Sequence, residues 1–116
     1  MSVIIRTNYP KRILSAFDKD VTSQRVDTWI KNSNGSFSPK DHQHMEFAGF
    51  YPTVNAYDLT FQFKHTQPKG IGIIAGASED ENPDFTYAYY HGHLTSTLLY
   101  HYSKDIEGVL STALKR

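Results

Sequence analysis

The sequence lacks cysteine and lacks an excess of either charge. Among its 116 residues there is no cysteine, and 12 Lys and Arg stand against 12 Asp and Glu. The first absence excludes a disulfide framework, a thiol nucleophile and a thiolate metal site. The charge balance argues against nucleic acid as a partner, because general nucleic-acid binding needs a basic stripe that displaces counterions from phosphates.

Long hydrophobic runs, repeats and linkers are missing as well. No stretch approaches the roughly 18 apolar residues of a membrane span, so no membrane embedding is expected. The chain shows no charged-then-apolar leader with a small-residue cleavage site, which predicts a cytoplasmic protein. A chain of this length can bury one core without metal or disulfide support. We therefore expect residues 1–116 to form a single domain.

The residue patterns predict an α+β domain with a mainly antiparallel, curved sheet of five to seven strands. Val3-Ile4-Ile5 is β-branched and predicts a short strand, and Pro10 suits the first position of a short N-terminal helix over 10–19. Asn34-Gly35 is a strong hairpin signal. Strands are also predicted from apolar residues in alternation or in short runs, at Met45 and Phe47, at Leu59, Phe61 and Phe63, and at Ile71, Ile73 and Ile74.

The last third of the chain is predicted as strands followed by a helix. The Tyr and Thr content of Phe85–Tyr102 favours strands, with Gly92 as a bulge or turn, although Leu94, Leu98, Leu99 and Tyr102 also fit a helix face. Ser103 is a suitable N-cap, and the end of the chain is predicted as an amphipathic C-terminal helix. Its buried stripe would be Ile106, Val109, Leu110, Ala113 and Leu114.

Two His-x-His pairs are the clearest candidates for chemistry. On a strand, residues two apart share a face, so His42, His44 and Glu46 would present two imidazoles and a carboxylate together. That set suits a divalent metal such as zinc or iron. His91 and His93 would likewise share a face and could supply a fourth ligand or a catalytic acid–base pair. The alternative is that the first pair lies in an ordinary loop and the second makes structural hydrogen bonds.

Aromatic residues and one acidic segment suggest a different function. The chain has eight tyrosines, and a run such as Tyr87-Ala88-Tyr89-Tyr90 would place rings on both faces of a strand. Tyrosine is enriched in protein interfaces, although these rings could equally cover a half-exposed sheet face. Glu79, Asp80, Glu81 and Asp84 form the one acidic run, which is either a solvated loop or a docking surface for a basic partner.

The first hypothesis for function is a protein-binding module that occludes a partner, as an inhibitor, a toxin-immunity protein or a phage antagonist does. It needs no cofactor, and its partner is another protein with a basic surface. A homodimer is also open, because a Tyr-rich edge or face could pair with a second copy. The alternatives are a histidine-based or metal-dependent hydrolase or oxygenase, and a small-ligand binding domain. The binding residues predicted by the first hypothesis are Tyr87, Tyr89, Tyr90, Tyr100, Tyr102, Glu79, Asp80, Glu81 and Asp84.

Overall fold

Six strands and two helices are seen in a computed structural model, which describes residues 1–40, 48–65 and 83–112, with the side chains of 65 and 83–86 excepted. A single 3-10 turn at Ser103–Asp105 joins the second helix to the last strand. The elements in chain order are β1 (Ser2–Arg6), α1 (Pro10–Thr22), β2 (Trp29–Lys31), β3 (Phe37–Pro39), β4 (Ala48–Val54), β5 (Asp58–His65), α2 (Pro83–Tyr102) and β6 (Gly108–Ser111).

The strands form one sheet in the order β2-β3-β4-β5-β1-β6, and every pairing is antiparallel. The first strand of the chain therefore lies between β5 and the last strand. Buried side chains of both helices belong to the same core cluster as those of the sheet. This arrangement confirms the predicted α+β class, the antiparallel sheet and the strand number.

The centre of the sheet follows the alternation seen in the sequence. Leu59, Phe61 and Phe63 of β5 are all buried, and Phe63 lies opposite Phe50 of β4. Because successive side chains of a strand point to opposite faces, this spacing gives one apolar face to the core. The intervening Gln62 and Lys64 are exposed. The prediction for this strand is confirmed.

The N-terminal helix and the first hairpin also agree with the sequence. Pro10 occupies the start of α1, and Ile13, Phe17 and Val21 are buried at helical spacing. The hairpin between β2 and β3 turns at Gly35, whose φ of +89° is a conformation that other residues rarely adopt. Beside it, the backbone N–H of Asn32 donates to the Ser36 carbonyl at 2.7 Å.

The predicted strands over Phe85–Tyr102 are wrong, because this segment belongs to the long helix α2. Its buried residues, Tyr87, Tyr90, Leu94 and Leu98, are spaced by three or four positions, which is the period of a helix. Gly92 is neither a bulge nor a turn but an exposed position within α2. Tertiary packing of that stripe overrides the strand preference of Tyr and Thr.

The predicted C-terminal helix is also wrong as to its position. Ser103 begins only one 3-10 turn, after which Gly108–Ser111 forms β6 beside β1. Gly108 lies in the interior of the predicted helix, where glycine is unfavourable. The C-terminal helix of the fold is α2 instead. Residues 113–116 lie outside the described residues, as do the strands predicted at Met45 and Phe47 and at Ile71 to Ile74.

In the described parts of the chain, no helix is both long enough and apolar enough to cross a membrane.

Candidate partner-binding surface

Helix α2 has an inner face fixed to the sheet by packing and hydrogen bonds. Tyr87 and Tyr90 are buried, with the Phe63 ring 5.3 Å and 5.7 Å from theirs. The Tyr87 hydroxyl contacts the carbonyl oxygens of Ser2 at 2.8 Å and Thr112 at 3.2 Å, which ties α2 to both β1 and the end of β6. Burial raises the pKa of both phenols, so both stay neutral at physiological pH.

The other end of α2 is tied to the N-terminal helix. Tyr102 is partly buried, and its hydroxyl donates to Asp20 Oδ2 at 2.7 Å. Burial, and then the neighbouring carboxylate, raise the pKa of Tyr102. Its ring meets Phe17 edge-on at 6.4 Å. Of the five tyrosines predicted as anchors, Tyr87 and Tyr90 are thus unavailable to a partner in this conformation, and Tyr102 is largely occupied.

The outer face of α2 is exposed and uncharged. Tyr89 and Tyr100 are 49% and 83% exposed, and Leu99 is 42% exposed. From Tyr87 to Tyr102 the sequence has no Asp, Glu, Lys or Arg. A surface helix normally presents charged residues to solvent, so this composition is unusual for a face left in water. We define the outer face of α2 as six of its exposed residues, Ala88, Tyr89, Gly92, Ser96, Leu99 and Tyr100. His101, which is exposed as well, lies in the last turn of the helix.

His91 and His93 do not share a face, contrary to the expectation for a strand. Two positions along a helix correspond to about 200° of rotation, so the two imidazoles diverge. His91 stacks on Tyr87 at 5.2 Å, and its Nδ1 lies 3.1 Å from Ser111 Oγ of β6. His93 instead packs 5.0 Å from the Trp29 ring at the opposite edge of the sheet. The structure therefore brings these two histidines into separate environments.

The environment of His93 disfavours its charged form. Its Nδ1 is buried, and the described residues offer it no hydrogen-bond partner. Burial lowers the pKa of His93 below the usual histidine value. On its other side the ring stacks with Tyr89 at 6.2 Å. The His93 ring packs between two aromatic rings, and protonating it would place a charge in this partly desolvated site.

We expect His93 to make folding stability fall in acid. The unfolded chain binds the proton near pH 6.5, whereas the folded chain resists it, so the unfolded state holds more protons below that pH. Stability contributed by neutral His93 is thus fully present above pH 6.5 and is lost as pH falls through that value toward the lower folded pKa. Denaturant unfolding at pH 7.5, 6.5 and 5.5, followed by Trp29 fluorescence, measures this slope.

The matched comparison uses two phenylalanine substitutions on the same helix. His93→Phe keeps the aromatic contacts and is expected to reduce the pH slope without loss of stability at pH 7.5. His101→Phe changes an exposed histidine and is expected to leave the slope as it is. Equal slopes in both variants and in the unchanged protein would contradict the role assigned to His93.

A groove lies between α2 and β6. Its volume is about 540 Å³, and among the described residues that line it none is Asp, Glu, Lys or Arg. Gly92 and Leu99 form part of the helix wall, while Val109 and Ser111 form part of the strand wall. On the other face of the sheet, Leu110 is 59% exposed. Leu99 and the groove were not predicted as a surface, because the groove forms only once β6 pairs with β1. Leu110 was predicted as buried.

Several predicted site residues lie outside the described residues. These are His42, His44 and Glu46 of the metal hypothesis and Glu79, Asp80 and Glu81 of the acidic segment. Asp84 falls in the first turn of α2. In the described part of the chain no three His, Asp or Glu residues come together as a metal site would require. The metal and acidic-surface hypotheses both stay predictions.

Comparison with protein-family models, with curated proteins and with solved structures finds no match to this chain. The role of the α2 surface is therefore inferred from its own chemistry.

Proposed function

We propose that this protein is a binding module that captures another protein on the outer face of α2 and blocks it by steric occlusion. One observation carries the proposal: a long helix, anchored on its inner side, shows solvent an uncharged outer face with Tyr89, Leu99 and Tyr100 exposed. Contiguous exposed apolar surface of this kind marks interaction sites. Inhibitors and toxin-immunity proteins work in this way, and a cytoplasmic location suits them.

The two exposed tyrosines suit the role of contact anchors. Tyrosine offers a large ring and a polar tip with few rotatable bonds, so it binds at a low entropy cost. Between Tyr89 and Tyr100 the helix surface carries the small residues Gly92 and Ser96. Small residues there leave room for a partner side chain to lie flat between the rings. Tyr87 and Tyr90 contribute indirectly, because their burial holds the helix in place.

Acidic residues near the start of α2 in the sequence indicate that the proposed partner carries positive charge. Asp84 lies in the first turn, and Glu79, Asp80 and Glu81 precede it in the sequence. Acidic residues that precede a contact helix in the sequence favour a partner with a basic rim, and such charges raise the association rate more than the affinity. Reversing these charges is expected to slow association, with a stronger effect at low salt.

Tyrosine truncation tests the contact face. We expect Tyr100→Ala to weaken partner capture by at least about 30-fold, the size of a hot-spot loss of about 2 kcal/mol. Ser96→Arg, which places a charge in the middle of the face, should weaken it as strongly. The measurement is quantitative affinity capture from a lysate of the source cells, followed by biolayer interferometry with the captured protein.

The matched control is Tyr57→Ala, which removes a tyrosine that is also largely exposed, at 70% against 83% for Tyr100, from the turn between β4 and β5. It should bind like the unchanged protein. Trp29, the only tryptophan and a buried one, reports by its fluorescence whether each variant is folded. If Tyr100→Ala and Ser96→Arg capture as much partner as Tyr57→Ala, the outer face of α2 is not the contact surface.

A further inference from the structure

The groove between α2 and β6 holds a nucleophilic side chain and a base in contact. Ser111 Oγ of β6 lies 3.1 Å from His91 Nδ1 of α2, and both residues line the groove. A serine hydroxyl becomes an effective nucleophile when a neighbouring base takes its proton, and a neutral imidazole is the usual base. In the tautomer with its proton on Nε2, His91 accepts the hydrogen bond of Ser111 at Nδ1. The pair therefore has the geometry of a catalytic dyad.

Tyr87 fixes the position of both members of this pair. The His91 imidazole stacks on the Tyr87 ring at 5.2 Å, with 28° between the two planes. The Tyr87 hydroxyl lies 3.2 Å from the carbonyl oxygen of Thr112, the residue that follows Ser111. Thr112 is held on its other side as well, because its N–H donates to the Ser2 carbonyl at 2.9 Å. One buried ring thus orients the base directly and the nucleophile through its strand, which lowers the entropy cost of a reaction between them.

The walls of the groove favour an uncharged, apolar substrate. Its volume of about 540 Å³ is within the range of roughly 300–1,000 Å³ that is usual for small-molecule sites. Among the described residues that line it there is no charged Asp, Glu, Lys or Arg, so a phosphate or carboxylate would find no counter-charge. Leu99 and Val109 supply apolar surface. A Cβ atom at Gly92 or Gly108 would meet no atom within 4 Å, so the backbone at both positions is open to a ligand.

A third polar group beside the groove is unpaired. Thr95 Oγ1 is buried, and the described part of the chain offers it no hydrogen-bond partner. Buried hydroxyls are nearly always bonded, so an unpaired one at a groove needs an explanation. Thr95 lies one helical turn after His91, which places it on the same wall. Threonine in a helix uses two χ1 rotamers, and rotation between them lets the hydroxyl donate to a carbonyl oxygen held beside Ser111.

We propose that Ser111, His91 and Thr95 form the active site of a hydrolase for uncharged esters with an apolar acyl chain. Ser111 Oγ bonds to the ester carbonyl carbon while its proton passes to His91 Nδ1, and Thr95 donates to the oxyanion that forms. The bond to the alcohol oxygen then breaks, and His91 gives the proton to that oxygen. A water molecule attacks the acyl-serine, His91 takes its proton and returns it to Ser111 Oγ, and the carboxylic acid leaves. Water is the only co-reactant.

This activity goes beyond the proposed function, and either can fail without the other. The groove shares Gly92, Ser96 and Leu99 with the outer face of α2, whereas the three reacting side chains do not belong to that face. Partner capture is measured with a lysate, and hydrolysis is measured on the purified protein alone. A protein that hydrolyses esters and captures no partner, or the reverse, separates the two proposals.

Labelling with a fluorophosphonate tests the nucleophile. An activated serine attacks the phosphorus of such a probe, fluoride leaves, and the probe stays attached through a P–O bond. We expect the purified protein to gain the mass of one probe, and peptide mass spectrometry to place that probe on Ser111. Ser111→Ala should not be labelled there. His91→Phe keeps a ring against Tyr87 and should be labelled at least about 100-fold more slowly, because the base is gone.

The matched controls change one serine and one histidine outside the groove. Ser103→Ala and His101→Phe replace exposed residues at the end of α2 and directly after it, and both should be labelled like the unchanged protein. Trp29 fluorescence shows whether each variant is folded.

Hydrolysis of p-nitrophenyl esters, from acetate to dodecanoate, tests the substrate class. We expect kcat/KM to rise roughly threefold to fourfold for each methylene group that the groove covers, and p-nitrophenyl phosphate to be left intact. Thr95→Val replaces the hydroxyl by a methyl group and should lower kcat about 100-fold with little change in KM. Thr95→Ser should restore most of that loss.

Several results would overturn the proposal. If the unchanged protein is neither labelled nor active on any ester, the contact between Ser111 and His91 only ties α2 to β6. Hydrolysis that Ser111→Ala leaves intact would belong to another residue or to a contaminating enzyme. Equal labelling of His91→Phe and the unchanged protein would remove His91 as the base, and an unchanged kcat in Thr95→Val would remove Thr95 as an oxyanion donor.

Discussion

Replacing Phe50 with alanine is expected to lower the free energy of unfolding by about 3–5 kcal/mol, which is the usual cost of deleting a fully buried phenyl ring. Phe50 has no exposed surface and lies on the core face of β4. The cavity that the alanine leaves cannot collapse easily, because the surrounding rings belong to both the sheet and α2. Its ring centroid lies within 6.4 Å of the rings of Trp29, Phe61, Phe63, Tyr87 and Tyr90.

Chemical denaturation followed by Trp29 fluorescence measures this loss, and thermal unfolding should show a Tm lower by roughly 10–20 °C. Phe50→Leu fills most of the space and should fall between the alanine variant and the unchanged protein. Tyr57→Ala, at an exposed turn, should stay within about 0.5 kcal/mol of the unchanged protein. A Phe50→Ala variant as stable as Tyr57→Ala would mean that β4 and α2 do not pack as described.

Phe17→Ala is expected to have an effect of similar size, about 3–5 kcal/mol, through the other helix. Phe17 is fully buried on α1, and its ring centroid is 4.8 Å from that of Phe37 on β3. It also meets Trp29, Phe61 and Tyr102 at 6.1–6.4 Å. Removing it therefore weakens three contacts at once: α1 with the sheet, α1 with α2, and the packing of the only tryptophan.

The control for Phe17 is Lys11→Ala on the exposed side of the same helix, which should change stability little. Phe17 and Phe50 share Trp29 and Phe61 as neighbours, so the double variant should lose less than the sum of the two single losses. Strict additivity would indicate that α1 and α2 cover two independent cores. A loss below 1 kcal/mol for Phe17→Ala would indicate that α1 is not held against β3.

The local residue pattern was sufficient to predict an element wherever one face of that element is buried and its ends carry turn or capping residues. The alternation of Leu59, Phe61 and Phe63 predicted β5, and Asn34-Gly35 predicted the first hairpin. For α1, Pro10 and the spacing of Ile13 and Phe17 carried the prediction. In each case the residues that mark the element are adjacent in sequence, so no knowledge of the partner element was needed.

Prediction failed where the partner element decides the structure. In α2 the tyrosines favour a strand locally, but Tyr87, Tyr90 and Leu94 together form a helical stripe that fits the aromatic sheet face. In β6 the apolar residues Val109 and Leu110 fit a helix or a strand equally well, and pairing with β1 settles the choice. Ser103 was predicted as the N-cap of a C-terminal helix, whereas it is the first residue of a 3-10 turn of three residues.

Exposure of some tyrosines was predictable from their number, but which ones are exposed was not. Tyr89 and Tyr100 are exposed, whereas their role in an interface stays a prediction. Which tyrosines are buried depends on the helical period of α2. Tyr87 and Tyr90 were predicted to contact a partner from strands, but in the helix they face the core. Leu110 was predicted as buried in a helix stripe and is instead exposed at the sheet edge, a reversal that only the β1–β6 pairing explains.

The position of β1 has a consequence for how the protein is made. Of the six strands, β1 is the first to leave the ribosome, yet it lies between β5 and β6 in the sheet. The Ser2 carbonyl accepts a hydrogen bond from the N–H of Thr112. Contacts between such distant residues form late and slow the folding of a chain. The sheet cannot be completed until residue 112 has emerged, so the nascent chain is expected to keep β1 and the aromatic face of β5 uncovered during synthesis. Chaperones that shield apolar strands should therefore associate with the nascent chain and leave once β6 has paired with β1.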